Sequence, residues 1–258
     1  MIPVYVLNLA RSPERRAFMA EGLARAGVTP EFVAAVDGRA SRSARPPRAL
    51  SAAETALILS HRKAWRRFLR GPGELAVVLE DDAHVGEGFA ALLSADWRGL
   101  NFDLVKLETL SHRAWIARSG PSIAGRSLRR LGAEHLASAG YLISRAGAHK
   151  VLTATRALAE PVDHSLFGRD AIFERRVRVY QLFPAIVVQD NLLPDAAARR
   201  GIATTLHESD RLALAATAKR SKPRGLQRLA REARRLFEQM RRVLRLGPTM
   251  RRQRVPFR

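Results

Sequence analysis

Apolar and polar positions alternate along this chain in segments of two distinct periods. "IPVYVLNL" is a run of β-formers from Ile2 to Leu9 ended by a polar loop, and it predicts a first strand. "SPERRAFMAEGLARAG" follows at helical spacing, with Ser12 as N-cap, Pro13 in the first turn and Gly27 as the stop. "EFVAAVDG", Glu31 to Gly38, predicts a short second strand closed by Asp-Gly. Residues 39–48 are rich in Ser, Arg and Pro and predict a loop. "SAAETALILSHRKAWRRFLRGPG" opens with Ser51 and Glu54 at capping-box spacing and stops at Gly71-Pro72-Gly73. "LAVVLEDD" then predicts a strand that runs directly into acid.

Further on, "FDLVKL" predicts a strand over Phe102–Leu107, and "HLASAGYLISRAGAHKVL" a strand passing into a helix near Arg145. "PVDHSLFGRDAIFERR" predicts a helix after Pro161, and "VRVYQLFPAIVVQ" a strand broken at Pro184. Alternation of strands and helices argues an α/β body with a largely parallel sheet. The body is expected to span residues 1–210, with 211–258 as a basic helical tail. In that tail Leu226, Leu229, Ala230, Ala233, Leu236, Phe237, Met240, Val243 and Leu244 recur at three- and four-residue steps. Arginines fill most of the remaining surface, the pattern of an interfacial amphipathic helix or of a helix that packs its stripe on the body or a second subunit and leaves the Arg solvated.

Composition changes this picture in two places. The 258 residues carry a net charge of +21, and the stretch from His207 onward holds sixteen basic against four acidic residues. A basic tail suits an anionic membrane surface. It also supports a second reading, a nucleic-acid-binding protein, although no interleaved aromatics or known binding motif accompany the charge. There is no cysteine, which excludes disulfides and thiolate metal sites. The N-terminal apolar run is too short for a signal peptide, and no segment reaches the ~20 apolar residues of a membrane span. A soluble body made in the cytoplasm, held at a membrane surface by its tail, is expected.

Three carboxylates in a row, Glu80, Asp81 and Asp82, end the most strand-like segment of this basic chain. In open α/β sheets ligands bind beyond the carboxyl ends of strands. Strict alternation would point Glu80 and Asp82 the same way and Asp81 opposite. Adjacent carboxylates repel unless a cation or strong donors neutralise them, and hard oxygens suit Mg²⁺ or Mn²⁺. A metal site and a solvated acidic turn both fit the spacing. Arg11 and Arg15 are candidates for phosphate contact or plain solvated charge. Asp37 is either a nucleotide contact or the first half of an Asp-Gly turn. Gly140, at a strand start, leaves room for close approach of a ligand.

The ordered set "VYVLNLARSPERR", "AAVDGR", "LILSHRKAW", "VVLEDDAHV", "AGYLISRAGAHKVL" and "EPVDHSLF" resembles glycosyltransferase family 25, the bacterial lipopolysaccharide and lipooligosaccharide group. The resemblance implies a GT-A-type, Rossmann-like, mostly parallel sheet flanked by helices. It implies a UDP-sugar donor, typically UDP-galactose, a glycolipid or oligosaccharide acceptor, Mn²⁺ or Mg²⁺, inversion at the anomeric carbon, and no nucleic-acid partner. The acidic trio then stands as the D-x-D element, with Asp82 and Glu80 toward the metal and Asp81 toward the donor. Asn8, Arg11, Arg15, Asp37, Ser60 and His61 fall in the donor-binding motifs. His207 is a further metal candidate from late in the chain. An inverting transfer needs a base for the acceptor hydroxyl. Asp163 in the Pro-x-Asp pattern is that candidate, with a helix N-cap as its structural alternative and His164 and Glu160 as rivals.

Overall fold

The computed structural model describes residues 1–39, 50–193 and 248–258. Strand β1 (Val4–Asn8) is buried along its whole length, as expected of a strand covered on both faces. Helix α1 (Pro13–Arg25) has Pro13 in its first turn, and Gly27 follows it at φ 71°. After β2 (Glu31–Ala34), helix α2 (Ala52–Arg70) begins with a complete capping box. Ser51 Oγ accepts from Glu54 N at 3.1 Å, and Glu54 Oε2 accepts from Ser51 N at 2.8 Å. Strands β3 (Leu75–Glu80) and β4 (Ala83–Val85) then flank Asp81 and Asp82.

The middle of the chain holds α3 (Phe89–Ser94), β5 (Leu104–Lys106), β6 (Glu108–Thr109), β7 (Arg113–Ala117), β8 (Ser122–Ile123) and β9 (Arg126–Arg130). It continues with β10 (Gly140–Ser144), α4 (Arg145–Ala154), α5 (Val162–Phe167), α6 (Arg169–Phe173), β11 (Val179–Phe183) and β12 (Val187–Gln189). β13 (Met250–Arg254) closes the described chain. The helix expected after Pro161 is therefore two short ones. They part at Gly168, where a Cβ would stand 2.4 Å from the His164 carbonyl oxygen.

Eight strands form the central sheet in the order β2-β1-β3-β10-β5-β11-β9-β8. Alternate residues of β1 and β3 feed opposite cores. Tyr5, Leu7 and Val78 face Trp65 and Phe68 of α2, whereas Val4, Val6 and Val77 face Met19 and Leu23 of α1 and Leu92 of α3. The result is a sheet between two helical layers. The sheet is mixed, which corrects the mostly parallel expectation. β1/β2, β1/β3 and β5/β11 are parallel, but β10 runs antiparallel between β3 and β5, and β9 is antiparallel to both β11 and β8. A smaller sheet, β4-β12-β6, extends beyond the ends of β3 and β5.

Residues 248–258, expected in the basic tail, belong to the body. β13 pairs antiparallel with β7. Thr109 Oγ1 donates to the Val255 carbonyl at 2.6 Å, and Ala185 N to the Pro256 carbonyl at 2.8 Å. "MRRQR" lacks the apolar alternation of a strand, and cross-chain pairing with β7 supplies what its own pattern lacks. The 210/211 boundary, His207 and the amphipathic stretch 225–247 lie outside the described residues. Among the described residues, no helix is long and apolar enough to cross a membrane.

Candidate active site

Parallel pairing brings the carboxyl ends of β1 and β3 to one edge of the sheet, with Leu7 opposite Glu80. Asn8 and the acidic trio meet there. Asn8 Nδ2 donates to Asp81 Oδ2 at 2.8 Å and to the Ser12 carbonyl at 3.1 Å. Arg15, in the first turn of α1, is only 3% exposed. Its Nη2 lies 2.8 Å from Asp81 Oδ1 and 3.1 Å from Asp82 Oδ2. Glu80 turns the other way and accepts from Ser138 Oγ at 2.7 Å.

The alternation argument therefore fails at this point. Asp81 and Asp82 share one cation, and Glu80 stands apart from them. The reason is local: β3 ends at Glu80, and the next two residues form a turn before β4. Burial pushes the Asp82 pKa up to about 7, with repulsion from Glu80 adding to it and Arg15 opposing. Burial also raises Asp81, against the pull of Arg15. For Glu80, burial is outweighed by His61 and Ser138, and its pKa falls below the ordinary carboxylate value.

Behind Glu80 lies a buried polar column. His61 Nε2 approaches Glu80 Oε1 to 3.4 Å without a hydrogen bond, and His61 Nδ1 meets the Tyr141 hydroxyl at 2.8 Å. Trp65 Nε1 donates to the same hydroxyl at 2.7 Å. His61 thus reaches the cluster from within the core. Ser60 does not face it. Its hydroxyl accepts from Val36 N at 2.8 Å and donates to the Ala56 carbonyl at 2.7 Å, which ties the chain after β2 to α2. Arg11 and Asp37 form a separate, partly exposed pair at 2.7 Å. Asp37 also accepts from Arg39 N, and that bond leads the effects holding its pKa below normal.

Lys106 and Glu108, which the motif reading passed over, lie beneath this edge. Both are fully buried and pair at 2.9 Å. Lys106 Nζ also donates to the carbonyls of Leu136 and Ala137, at 2.9 and 2.5 Å, and lies 4.3 Å from the centre of the Phe167 ring. Burial lowers the Lys106 pKa and raises that of Glu108, each opposed by the other's charge. The signal was present in "LVKLET": two opposite charges two residues apart share one side of an otherwise apolar strand.

Asp163 sits in the first turn of α5, but the N-cap is Pro161. Its Oδ2 accepts from Ala137 N at 3.1 Å and its Oδ1 from His164 N at 3.0 Å. Asp163 and Glu80 both act on Lys106 electrostatically, so the candidate base belongs to the same charged cluster. Its rival Glu160 accepts from Ser165 Oγ and pairs with Arg175, a contact that fastens α5 to the chain after α6. Gly140 does allow a close approach, but the neighbour is Val187 of β12: a Cβ there would meet Val187 Cγ1 at 2.6 Å.

The cluster joins five carboxyl groups, Glu80, Asp81, Asp82, Glu108 and Asp163, to two basic side chains, Arg15 and Lys106. Asp82 Oδ1 and Glu108 Oε2 are buried, with no hydrogen-bond partner among the described residues. Among the described residues no three His, Asp or Glu side chains are grouped to hold a metal ion by themselves. The arrangement fits an ion held by one or two carboxylates and completed by a ligand's phosphates, the usual habit of Mg²⁺. Asp82, with its orphaned oxygen, is the residue best placed to serve it.

The chain is a sugar-transferring enzyme, as its relatives show. Its sequence matches the profile of Glycosyltransferase family 25 (LPS biosynthesis protein) over residues 1–166. It is 32% identical over 208 residues to the lacto-N-neotetraose biosynthesis glycosyltransferase LgtB of Neisseria meningitidis serogroup B, covering 72% of this chain and 74% of that one. LgtE of Neisseria gonorrhoeae, named for the same biosynthesis, is 30% identical over 72% of this chain and 73% of its own. The lipooligosaccharide biosynthesis protein lex-1 of Haemophilus influenzae is 28% identical over 55% of this chain and 51% of its own. The chain belongs to glycosyltransferase family 25.

Proposed function

We propose that this enzyme moves a hexose, galactose in the first instance, from a UDP-sugar to a lipooligosaccharide or related glycan, with inversion, on a GT-A-type scaffold. The observation that carries the proposal is the surplus of buried carboxyl groups at the ends of β1 and β3 in a chain of net charge +21. Such a surplus is stable when a further cation joins it, and a nucleotide-sugar diphosphate brings one. Bound there by Asp82, Mn²⁺ or Mg²⁺ would supply Lewis-acid stabilisation of the negative charge that grows on the departing diphosphate. Arg15 holds Asp81 and Asp82 in place beside it. Asn8 fixes the second oxygen of Asp81 and the start of α1.

In the transfer, the acceptor oxygen forms a bond to the anomeric carbon as the bond to the donor phosphate breaks. The acceptor's proton passes to Asp163, and UDP leaves. Asp163 is oriented for this by the Ala137 N–H. The names of the relatives, which concern lacto-N-neotetraose and lipooligosaccharide, support the acceptor class. The arginine-rich stretch 225–247 supports placement at the cytoplasmic face of the inner membrane, where a lipid-linked acceptor would lie.

The experiment is a turnover screen of UDP-hexoses against defined lactose- and glucose-terminated oligosaccharides, with and without Mn²⁺. The expected result is metal-dependent release of UDP with one donor, lost in Asp82→Asn. Full turnover after chelation, or in that variant, would overturn the metal assignment. Binding of RNA or DNA without any donor turnover would favour the nucleic-acid reading.

A further inference from the structure

Two stretches that meet in the fold hold no acid. From Thr109 to Ala133, and from Pro248 to Arg258, the sequence contains no Asp or Glu. Folding brings these two stretches together, because β13 pairs with β7 and β7 bridges to Leu131 after β9. Directly opposite residues of an antiparallel pair point to the same side. Arg254 therefore stands beside Arg113, Arg252 beside Trp115, and Met250 beside Ala117. The other side of β7 is anchored: Ala114 and Ile116 are buried in the core with Leu131 and Val255.

The outer side is open. Arg113, Arg252 and Arg254 are exposed, and Trp115, Ala117 and Met250 are half-buried. None of the three arginines has an ion pair or side-chain hydrogen bond among the described residues. Like charges directly opposite destabilise a ladder, so Arg113 against Arg254 is a cost without an internal return. The undescribed stretches are net basic as well. Residues 40–49 hold three arginines and no acid, and residues 194–247 hold fourteen basic against five acidic residues. Such a face calls for an anionic complement, which a chain of net charge +21 is poorly equipped to supply from within.

The apolar groups at its centre narrow the choice. A two-stranded ribbon with a single aromatic on its outer side offers no row of stacking rings for a nucleic acid. A half-buried Trp with Met and Ala, ringed by arginines, matches the chemistry of the bilayer interface, where Trp sits at headgroup level and basic groups meet anionic lipid. We propose that the outer face of the β7–β13 ribbon, centred on Trp115 and ringed by Arg113, Arg252 and Arg254, docks on an anionic phospholipid surface. This contact is separate from the stretch 225–247 and from the donor chemistry, and it orients the body on the membrane as well as holding it there.

The test uses the full chain with vesicles of phosphatidylcholine, alone or mixed with phosphatidylglycerol, some carrying brominated acyl chains. Trp65 and Trp97 are buried, so Trp115 is the tryptophan that lipid can reach. The expected results are flotation with anionic vesicles only, and quenching of tryptophan emission by bromolipid that Trp115→Phe abolishes. Replacing Arg113, Arg252 and Arg254 with Gln should weaken partitioning about a hundredfold, at about fivefold per charge. Turnover of soluble donor and acceptor without vesicles should be unchanged in these variants, which separates this proposal from the transfer reading. Quenching that survives Trp115→Phe would overturn it. So would triple-variant flotation equal to wild type, equal binding to neutral vesicles, or binding to RNA in place of vesicles.

Discussion

Lys106 Nζ donates to the carbonyl of Ala137, a non-glycine residue held in the left-handed region at φ 76°. The same short turn presents the Ala137 N–H to Asp163 and the Ser138 hydroxyl to Glu80. One buried ammonium group thereby sets the positions of two carboxylates that belong to different elements.

Lys106→Met should cost about 3–5 kcal/mol of stability, because it strands Glu108 in the core without its partner. Adding Glu108→Gln should recover most of that loss. Turnover should stay depressed in the double variant, since the turn still lacks its anchor. Urea unfolding and turnover on the same samples check both halves, and a double variant with wild-type turnover would show that the turn holds itself.

Asp82 governs stability between its unfolded and folded pKa values, near 3.8 and about 7. Across that window the folded state binds the extra proton, so this group makes stability fall as pH rises. Asp82→Asn should remove the slope. Its gain in melting temperature over wild type should be absent at pH 4 and grow until about pH 7. Addition of Mn²⁺ with UDP should raise the wild-type melting temperature and leave that of the variant unchanged. Melts at pH 4 to 8 read both effects.

Burial, reinforced by Lys106, drives the pKa of His135 down to about 3. The unfolded chain takes up this proton near pH 6.5, the folded chain only near 3, so stability is lost as pH falls through that interval. His135→Gln should flatten the acid side of the stability profile, measured by denaturant midpoint at pH 3.5 to 7.

Asp163→Asn should lower kcat by about 10²–10⁴ and leave donor binding intact. Pro161 is the N-cap, and the Asn carbonyl can still accept one of the two N–H groups that Asp163 serves, so the melting temperature should change little. Calorimetry with UDP and Mn²⁺ beside turnover separates a lost base from a lost fold.

Much of this architecture could be read from local pattern. The capping box at Ser51 and Glu54 and the stop at Gly27 depend on neighbours a few residues away, and they appear where the sequence places them. The antiparallel insertion of β10 between β3 and β5 depends on pairing between distant segments, which a period-two pattern does not encode. At the site, the ordered motifs located Asn8, Arg15, His61 and the acidic trio in one neighbourhood. They did not reveal that Asp81 and Asp82 share Arg15, because a turn breaks the alternation there. Ser138 and Asp190 carried no motif. Asp190 reaches His84 at 2.7 Å only because β12 lies against β4.

The pairing of β13 with β7 has a consequence for how this enzyme is shortened. A stop codon placed after Ser221, an obvious way to remove the arginine-rich stretch, also deletes the last strand of the body. β7 would become a bare sheet edge, the Thr109 hydroxyl would lose its acceptor, and the core would lose Val255. Unpaired edges recruit strands from other molecules, so the shortened protein is expected to aggregate. Charge substitutions within 225–247, or an internal excision that rejoins the chain before Pro248, keep the edge closed.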